Sequence, residues 1–333
     1  MQINGGKLLF SASDLVAFLG CRHATLLDLR AARGGAKAPE QHDAQTESLQ
    51  QKGLEHEAAY LERLRSEGLS VETIAASATL DERVAKTRAA MLSGVDIIYQ
   101  GALLGRPWHG YSDFLRKVDV PSKLGAWSYI VLDTKLSRTA KPSHVIQLGV
   151  YASLIEQEQG VIPENVGVLL GDGTEAVLRT HDYAHYMRAA ADRLVQFTNA
   201  PPEASSPEPC AQCLYCKWQP VCDAEWQEKG HLSIVANIRS TQIRNLRDGG
   251  VATIDALSAY TGPSIKGLPD AMLARLKSQA ALQVARHKDG QNRHEILPVE
   301  QGRGFCRMPK PDPGDLFFDM EGDPLITGGL EYL

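Results

Sequence analysis

Two aspartates and a lysine are the residues of this sequence with the clearest chemical potential. Asp133 and Lys135 lie two positions apart in the apolar stretch 130–135, and the alternation of side chains along a strand places both on one face. Asp113 comes 20 residues before Asp133, in a second strand-like stretch. A hairpin with its turn at residues 122–123 would set the two aspartates opposite each other, with Cβ atoms roughly 4.5–5.5 Å apart.

Such a close pair of carboxylates predicts a metal site, because both groups stay ionised only when a cation lies between them. Asp113 and Asp133 offer the oxygen ligands that Mg²⁺ and Mn²⁺ prefer. The main-chain carbonyl of Thr134 is a further candidate ligand, since we expect its side chain to point away. Lys135 would orient a nucleophile or stabilise developing negative charge. The alternative is an exposed set of charges, which the apolar residues on the Asp133 face disfavour.

Two predicted helices are candidates to line this strand pair. The first, over residues 142–159, carries Gln147 and Tyr151 one turn apart on the same face. The second, over residues 46–66, carries His56 on a different face from its apolar stripe, so that His56 is either a surface histidine or a ligand. The predicted stripe of the second helix is Leu54, Ala58 and Leu61.

The order of the predicted elements indicates a mixed sheet flanked by helices, which is the α/β class. Residues 30–45 are expected to form a loop. Residues 240–286 are expected to form a helical extension, whose turn at 248–253 either presents backbone amides to a phosphate or simply joins helices that pack together. Strands are predicted over 71–74, 95–104, 106–118, 127–136, 165–171 and 175–180, and helices over 11–21, 46–66, 78–93, 142–159 and 181–198.

The composition is that of an ordinary soluble protein, with 43% hydrophobic and 23% charged residues. A length of 333 residues favours two or three domains. No apolar run approaches the ~20 residues that span a bilayer, and no signal peptide opens the chain, so we expect a cytoplasmic protein without membrane association. The formal net charge of −5 argues against indiscriminate binding of polyanions but allows a local basic groove.

Six cysteines in a chain without a secretion signal favour metal or cluster ligation over disulfide bonds. Cys21 follows the first predicted helix and is either a thiolate or a small buried residue. Cys306 stands apart and is expected to be structural. The remaining four lie within 13 residues and suit a local zinc site as one interpretation: Cys210, Cys213, Cys216 and Cys222.

In chain order, the candidate residues resemble the RecB-type branch of the PD-(D/E)xK nuclease superfamily. In that branch a helical histidine, an aspartate, a D-x-K strand and a Q-x-x-x-Y helix follow one another. The resemblance covers residues 11–222 and implies a restriction-endonuclease-like fold. It implies metal ligation by His56, Asp113 and Asp133, positioning of water by Lys135, and support from Gln147 and Tyr151. One departure is Ser112, where the superfamily name would put proline.

The cysteine spacing C-x₂-C-x₅-C, with a further cysteine near the N-terminus, resembles the iron–sulphur staple of AddB-type and CRISPR-adaptation nucleases. The cluster would tie the first helix to the end of the domain. Cys210 is then additional, and a Cys₄ zinc site that includes it is the alternative, although zinc knuckles are more often separated by a longer loop. The resemblance implies a [4Fe–4S] cluster held by Cys21, Cys213, Cys216 and Cys222.

Residues 314–324 resemble the opening strand of an RNase H-like, DEDD-type exonuclease domain. The sequence itself predicts a strand over residues 315–321, and the resemblance implies Asp319 and Glu321 as the first two metal ligands of that domain. The remaining strands and acids of such a domain are missing from the sequence. We therefore expect a truncated start of that domain, without a complete second site.

Together these patterns predict three regions. Residues 1–230 would be the nuclease domain with its cluster, residues 231–290 a helical region of helix–hairpin–helix character, and residues 291–333 a loop followed by the RNase H-like start. The implied function is Mg²⁺- or Mn²⁺-dependent hydrolysis of DNA, at single strands or ends, in repair or recombination, with a helicase or a further nuclease domain as partner. The rival is a non-catalytic nucleic-acid-binding or scaffolding module that keeps the fold and the cluster.

Overall fold

A computed structural model describes residues 1–40, 44–319, 321–323 and 330–332. The chain forms two compact units. The sheet unit comprises Met1–Ser206 and Cys210–Trp218, and the helical unit comprises Pro207–Pro209 and the residues from Gln219 onward. The predicted boundary at residue 230 thus lies inside the helical unit. Within the described ranges, no helix has both the length and the apolar character required to cross a bilayer.

The sheet unit is built on a mixed six-stranded sheet flanked by helices, so the predicted α/β class is confirmed. Its strand order is β3-β4-β5-β6-β7-β8, with parallel pairs β3–β4 and β6–β7 and the other neighbours antiparallel. The strands are β1 Gln2–Asn4, β2 Lys7–Leu9, β3 Val71–Thr73, β4 Ile97–Gly105, β5 Trp108–Val118, β6 Ser128–Thr134, β7 Asn165–Leu169 and β8 Glu175–Arg179. The helices are α1 Ala12–Gly20, α2 Arg22–Ala32, α3 Ala44–Ser66, α4 Leu80–Ser93, α5 Pro142–Gln159 and α6 Ala184–Asn199.

Strand β6 is buried on both faces, which explains its near-continuous apolar sequence. Tyr129 and Val131 belong to the core that includes α1, α5 and α6, whereas Leu132 belongs to a second core with Tyr60 and Leu64 of α3. Helices therefore cover the sheet from both sides. Because side chains alternate along β6, Asp133 belongs to the α5 side and its neighbour at 134 to the α3 side.

The end of α5 is fixed to β6 by one buried amide, Gln159. The backbone N–H of Tyr129 donates to Gln159 Oε1 at 2.8 Å, and Gln159 Nε2 donates to the carbonyl oxygens of Tyr129 at 3.1 Å and Val161 at 3.0 Å. The Gln159 amide thus makes the same hydrogen bonds to the backbone of Tyr129 that a neighbouring strand would make. This fixes the position of α5 on the sheet, and with it the two polar residues that α5 carries.

The predicted first helix over residues 11–21 is confirmed as α1, and a second helix that was not predicted, α2, begins directly after Cys21. This residue has extended backbone angles, φ −152° and ψ 108°, ends α1, and caps α2 by accepting a hydrogen bond from Ala24 N at 3.4 Å. Because Leu26 and Leu29 are buried along α2, residues 30–32 continue that helix and do not begin the predicted loop. The short β1–β2 hairpin was also not predicted, since each strand has only three residues.

The helical unit packs short helices around an apolar core that includes Leu232, Leu246 and Leu276. The turn between the helices α8, Ser240–Asp248, and α9, Ile254–Ser258, uses its own amides internally. Gly250 N donates to Arg247 O at 2.9 Å, and Val251 N donates to Leu246 O at 2.8 Å. The packing role of this turn is therefore observed, and its presentation of amides to a phosphate stays a prediction. The helices are α7 Gln219–Glu228, α8 Ser240–Asp248, α9 Ile254–Ser258 and α10 Asp270–Asp289.

The predicted strand over residues 315–321 is wrong for residues 315–319, which form no regular structure. Phe317 is 99% exposed. No neighbouring strand pairs with this stretch in the described part of the chain, and an unpaired strand has no ladder to stabilise it. The strand β9 begins only at Glu321 and pairs antiparallel with β10, Leu330–Tyr332. Met320 lies outside the described residues, and the RNase H-like resemblance stays a prediction.

The Gln159 contacts predict a stability effect. Gln159→Ala leaves the backbone groups of Tyr129 buried without partners, which we expect to lower the free energy of unfolding by about 2–4 kcal/mol. Urea denaturation measures the change. The matched control is Gln157→Ala, an exposed position on the same helix, where the change should stay within about 0.5 kcal/mol. Equal effects of the two substitutions would show that Gln159 does not fix α5 to β6.

Candidate functional site

The predicted acid pair lies at the point where the β5–β6 ladder ends. Phe114 pairs with Leu132, so Asp113 and Asp133 occupy the next position of the same register, as the hairpin geometry predicts. Asp133 is fully buried, whereas Asp113 is half-buried. Burial, and after it the negative charge of Asp113, raise the pKa of Asp133 well above its usual range. The fold therefore holds the carboxyl groups of Asp113 and Asp133 close together where Asp133 is shielded from solvent.

Lys135 supplies the positive charge nearest to this pair. Its Nζ forms an ion pair with Asp133 Oδ2, which opposes the rise in the pKa of Asp133. The backbone N–H of Lys135 donates to Leu169 O at 2.8 Å, which holds the lysine in line with β6 and β7. The predicted D-x-K arrangement on one face is thus observed.

Thr134 contacts one of the acids, which was not predicted: its side chain lies on the face of β6 opposite to Asp133 but reaches Asp113. Both its backbone N–H and its hydroxyl donate to Asp113 Oδ2, at 2.7 and 2.9 Å. The β5–β6 ladder ends two residues earlier, at Leu132, so no β5 carbonyl takes up the Thr134 N–H and the carboxylate does so instead. Thr134 therefore orients Asp113. Its proposed role as a metal ligand through the main-chain carbonyl stays a prediction.

Helix α5 brings two polar residues to the acid pair, as predicted. Gln147 Nε2 lies 3.4 Å from Asp133 Oδ1 and 3.3 Å from the Tyr151 hydroxyl. Burial and the nearby Asp133 carboxylate raise the pKa of Tyr151, so its hydroxyl stays protonated. The Tyr151 ring packs closely against β5 because position 110 is glycine: a Cβ atom there would lie 2.3 Å from the ring.

Helix α3 contributes a buried acid that was not predicted, Glu57. Gln100 Nε2 donates to Glu57 Oε1, and burial followed by the charge of Asp113 raises the pKa of Glu57. Burial and the Glu57 carboxylate raise the pKa of Tyr99 to about 12. Glu57 thus belongs electrostatically to the same site as the two aspartates.

Glu57 was missed because the apolar stripe of α3 was assigned to the wrong face. Leu54 is 61% exposed, whereas Tyr60 and Leu64 are buried with Glu57. The apolar spacing of residues 60, 61 and 64 was the signal for the correct face. The predicted ligand His56 lies next to this face, and its Nε2 is buried without a hydrogen-bond partner among the described residues.

Backbone strain also occurs at this position in the sheet. Gln100 has φ +57°, a left-handed conformation that is uncommon for residues other than glycine. The β4–β5 register places Gln100 opposite Asp113, between the pairs Tyr99–Phe114 and Gly101–Ser112. Strained residues cluster at functional sites because the surrounding structure must stabilise them. The strain thus falls on the residue that binds Glu57.

His144 is a second buried polar residue that the sequence did not indicate. Its Nδ1 accepts a hydrogen bond from Lys141 N at 3.2 Å in the first turn of α5. Burial, and then the positive charges of Lys135 and Lys141, lower the pKa of His144 to about 4. The histidine is therefore neutral at pH 7.

The oxygen donors of the acid pair suit a hard divalent cation, but the protein side chains alone do not complete its coordination. No three His, Cys, Asp or Glu side chains in the described ranges converge closely enough to hold a metal ion. Mg²⁺ commonly binds through one or two carboxylates and keeps several waters, which the pair Asp113 and Asp133 would satisfy. Ligation by a third residue from α3, His56 or Glu57, stays a prediction.

Four cysteines of the sheet unit are close enough to interact electrostatically, although no three of them converge closely enough in the described structure to hold a metal ion: Cys21, Cys210, Cys213 and Cys216. The Sγ atoms of Cys210 and Cys213 are 3.8 Å apart. Burial raises the pKa of Cys21, to which the charges of Cys210 and Cys216 add, and burial likewise raises the pKa of Cys213, to which Cys210 and Cys21 add. Cys210 thus takes part in the group, although it was predicted to be additional. Cys222, a predicted ligand, belongs to the helical unit and is buried, and Cys306 is exposed.

Polar contacts already tie this cysteine segment to the N-terminal helices. Asp28 Oδ1 on α2 accepts a hydrogen bond from Trp218 Nε1 at 2.8 Å and lies 2.7 Å from Lys217 Nζ. Gln212 packs directly on Gly20, where a Cβ atom would lie 1.8 Å from its Oε1. These contacts between protein groups therefore connect the first helices to the end of the unit. The iron–sulphur resemblance implies a connection between the same two regions.

The fold and the site define an α/β protein with a buried acid pair, a lysine and a group of cysteines. No protein-family model matches the chain, and no curated protein matches it significantly. The resemblance to RecB-type nucleases stays a prediction that depends on the residues described above.

The pKa of His144 predicts a pH dependence of stability. The unfolded chain protonates this histidine near pH 6.5, whereas the folded chain does so only near pH 4. Between these values the unfolded state binds the extra proton, so stability falls as the pH drops through this range, by roughly 3 kcal/mol in total. We expect the stability advantage of the wild type over His144→Asn to shrink by about 2 kcal/mol between pH 7 and pH 5 in urea denaturation.

The control for this experiment is His185→Asn, an exposed histidine of the same unit, for which the difference from the wild type should not change with pH. A constant difference between the wild type and His144→Asn would show that the buried imidazole is protonated as readily as in the unfolded chain.

Proposed function

We propose that this protein is a metal-dependent nuclease of the RecB-like PD-(D/E)xK type. The observation that carries the proposal is the fully buried Asp133, placed beside Asp113 at the end of the β5–β6 ladder and in an ion pair with Lys135. A purely structural role does not account for such a pair, because burying two carboxylates together destabilises the fold. Residues that lower stability in this way are typical of functional sites.

A divalent cation would relieve the repulsion within this pair. Asp113 and Asp133 would hold it, with His56 or Glu57 of α3 and the Thr134 carbonyl as further candidate ligands. The feature that fits such an ion is the pKa of Asp133, which burial and the charge of Asp113 hold well above its usual range despite the contact with Lys135. When bound, Mg²⁺ or Mn²⁺ polarises a phosphoryl oxygen and lowers the pKa of a coordinated water.

The protein groups have separable roles in this proposal. Lys135 is 27% exposed, so its ammonium group is accessible from solvent while it contacts Asp133. It would orient the attacking water or stabilise negative charge on the phosphate. Thr134 fixes Asp113 through two hydrogen bonds. Gln147 fixes Asp133 and is itself positioned by Tyr151.

One basic segment of the helical unit supports a polyanionic substrate such as DNA. Residues 229–288 contain nine Lys or Arg and three Asp, a formal net charge of +6, whereas the remaining residues of the unit are acidic and bring its total to −3. Seven of these nine cations form no ion pair within the described residues. Basic patches of this kind bind nucleic-acid backbones without regard to sequence. The seven are Arg239, Arg244, Lys266, Arg275, Lys277, Arg286 and Lys288.

The cysteine group supports a second proposal, that of an iron–sulphur cluster. Cys21, Cys213 and Cys216 would be three ligands, and Cys222 is the fourth in the predicted set. The 3.8 Å contact of Cys210 with Cys213 makes Cys210 the competing fourth ligand. A Cys₄ zinc site at Cys210, Cys213, Cys216 and Cys222 remains the alternative.

The nuclease proposal predicts that Lys135→Met loses at least about 100-fold in cleavage rate while still binding DNA, because it removes the cation at the reacting centre. The assay uses labelled single- and double-stranded DNA with Mg²⁺ or Mn²⁺, and chelation with EDTA should stop cleavage. Asp113→Asn and Asp133→Asn should behave in the same way.

The matched control is Lys117→Met. Lys117 lies on the neighbouring strand β5, has nearly the same exposure as Lys135 and forms an ion pair with Asp96, so its loss should change cleavage less than about 3-fold. If the wild type binds DNA but does not cut it with either metal, the non-catalytic binding module is the correct function. If Lys135→Met cuts as fast as the wild type, the assigned site is wrong.

The cluster proposal predicts a brown protein on anaerobic purification, with about four iron atoms per chain. Cys21→Ser should lose the colour and the iron, whereas Cys306→Ser, an exposed control, should keep both. Cys222→Ser should lose the cluster and Cys210→Ser should keep it, and the reverse result would assign the fourth ligand to Cys210. A colourless protein with one zinc per chain would contradict the iron–sulphur proposal.

A further inference from the structure

The strict alternation of side chains along β4 breaks at one residue, Gln100. Ile98 and Leu103 both belong to the core that includes α5, although they are five residues apart and alternation would place them on opposite faces. Gln100 lies between them with φ +57°, and the β4–β5 register sets it opposite Asp113. The left-handed residue therefore changes the direction of the side chains at the point where β4 passes the acid pair.

Gln100 contacts helices on both faces of the sheet. Because Ile98 belongs to the core that includes α5, alternation would direct the Gln100 side chain to that same face. Its Nε2 instead donates to Glu57 Oε1 on α3, the helix that covers the other face. Its carbonyl oxygen accepts a hydrogen bond from Arg83 Nη2 on α4 at 3.2 Å, and α4 packs on the face of Ile98 through Met91. One residue thus connects α3 and α4 across the sheet.

Arg83 is held in place for this contact. It is 7% exposed, and its guanidinium carbon lies 4.1 Å from the centre of the Tyr111 ring. Its Nε is buried without a hydrogen-bond partner, and the arginine forms no ion pair within the described part of the chain. A buried cation without an acidic partner lowers the stability of a fold. Stability alone therefore does not account for Arg83, whereas a strained residue needs such a contact to keep its backbone conformation.

The contact with Gln100 keeps a third carboxylate next to the acid pair. Glu57 is 8% exposed, and burial followed by the charge of Asp113 raises its pKa. The hydrogen bond from Gln100 acts in the opposite direction, because it favours the charged carboxylate and fixes its orientation. Mg²⁺ and Mn²⁺ keep several of their waters in proteins, so a carboxylate beside the site attracts the ion even without ligating it directly.

We propose that Gln100 is a positioning residue of the cation site. Arg83 holds its backbone in the left-handed conformation, and its amide keeps the Glu57 carboxylate beside the acid pair, where this carboxylate strengthens the binding of Mg²⁺ or Mn²⁺. The inference rests on the proposed metal-dependent function and adds two residues that the sequence did not indicate. It also gives the strain at Gln100 a purpose, since a regular strand residue there would direct its side chain away from α3.

The test is a double-mutant cycle on the affinity for Mn²⁺, measured by isothermal titration calorimetry on the full chain without DNA. Gln100→Gly removes the amide, and glycine adopts φ +57° without strain. We expect Gln100→Gly and Glu57→Gln each to weaken Mn²⁺ binding at least about 5-fold, because each misplaces or removes the third carboxylate. The double variant should bind no more than about 2-fold more weakly than Glu57→Gln alone, since Gln100 acts only through Glu57.

Arg83→Met gives a result whose sign separates positioning from charge. Removing a positive charge near carboxylates would by itself strengthen the binding of a cation. Release of the Gln100 carbonyl should instead weaken Mn²⁺ binding at least about 3-fold. The matched control is Arg88→Met on the same helix. Arg88 is 67% exposed and forms an ion pair with Glu158 at 3.4 Å, so binding should stay within about 2-fold of the wild type.

Additive losses in the cycle, or wild-type affinity in Gln100→Gly, would overturn the role of Gln100. Unchanged or tighter binding by Arg83→Met would overturn the role of Arg83. If the wild type itself binds no Mn²⁺, the proposed cation site is wrong and this inference fails with it. A wild type that binds Mn²⁺ but does not cut DNA contradicts only the nuclease function. Urea denaturation checks the folding of each variant, and the cycle of Gln100 and Glu57 decides the question without Arg83→Met.

Discussion

The repulsion between two neighbouring carboxylates at the end of a buried ladder is the constraint on which the rest of the site depends. Asp133 has no access to solvent, so its charge is stabilised only by protein groups or by a bound cation. Lys135 forms an ion pair with Asp133, and Gln147 makes a weak amide contact with it. Thr134 fixes the orientation of the other carboxylate, that of Asp113. These contacts leave the pKa of Asp133 raised, so the compensation within the protein is incomplete.

The sheet makes this arrangement possible because its central strand is covered on both faces. Alternation along β6 directs Asp133 toward α5, while the other face of the same strand packs on α3, which carries Glu57. A strand end is the one place where groups from both faces can meet, since the ladder no longer separates them. The buried Gln159 fixes the distance of α5 from β6 and thereby the reach of Gln147.

Much of this arrangement was predictable from the sequence, because strand pairing and helix periodicity follow local rules. The pairing of Asp113 with Asp133 follows from the hairpin register, and the shared face of Gln147 and Tyr151 follows from helical spacing. Glu57 and the Thr134 side chain were missed for different reasons. The buried face of α3 was ambiguous because apolar residues occur on two of its faces. The Thr134 contact depends on where the β5–β6 ladder ends, which is a property of the whole sheet.

The contacts of Asp28 join residues near the start of the sheet unit to residues at its end. Chain ends are normally the first parts of a domain to open, since they have neighbours on only one side. Here α2 and the segment before Trp218 restrain each other, so neither end frays without the other. The two ends of the sheet unit should therefore unfold together and not independently. The segments that unfold locally most readily should be internal connections away from both ends.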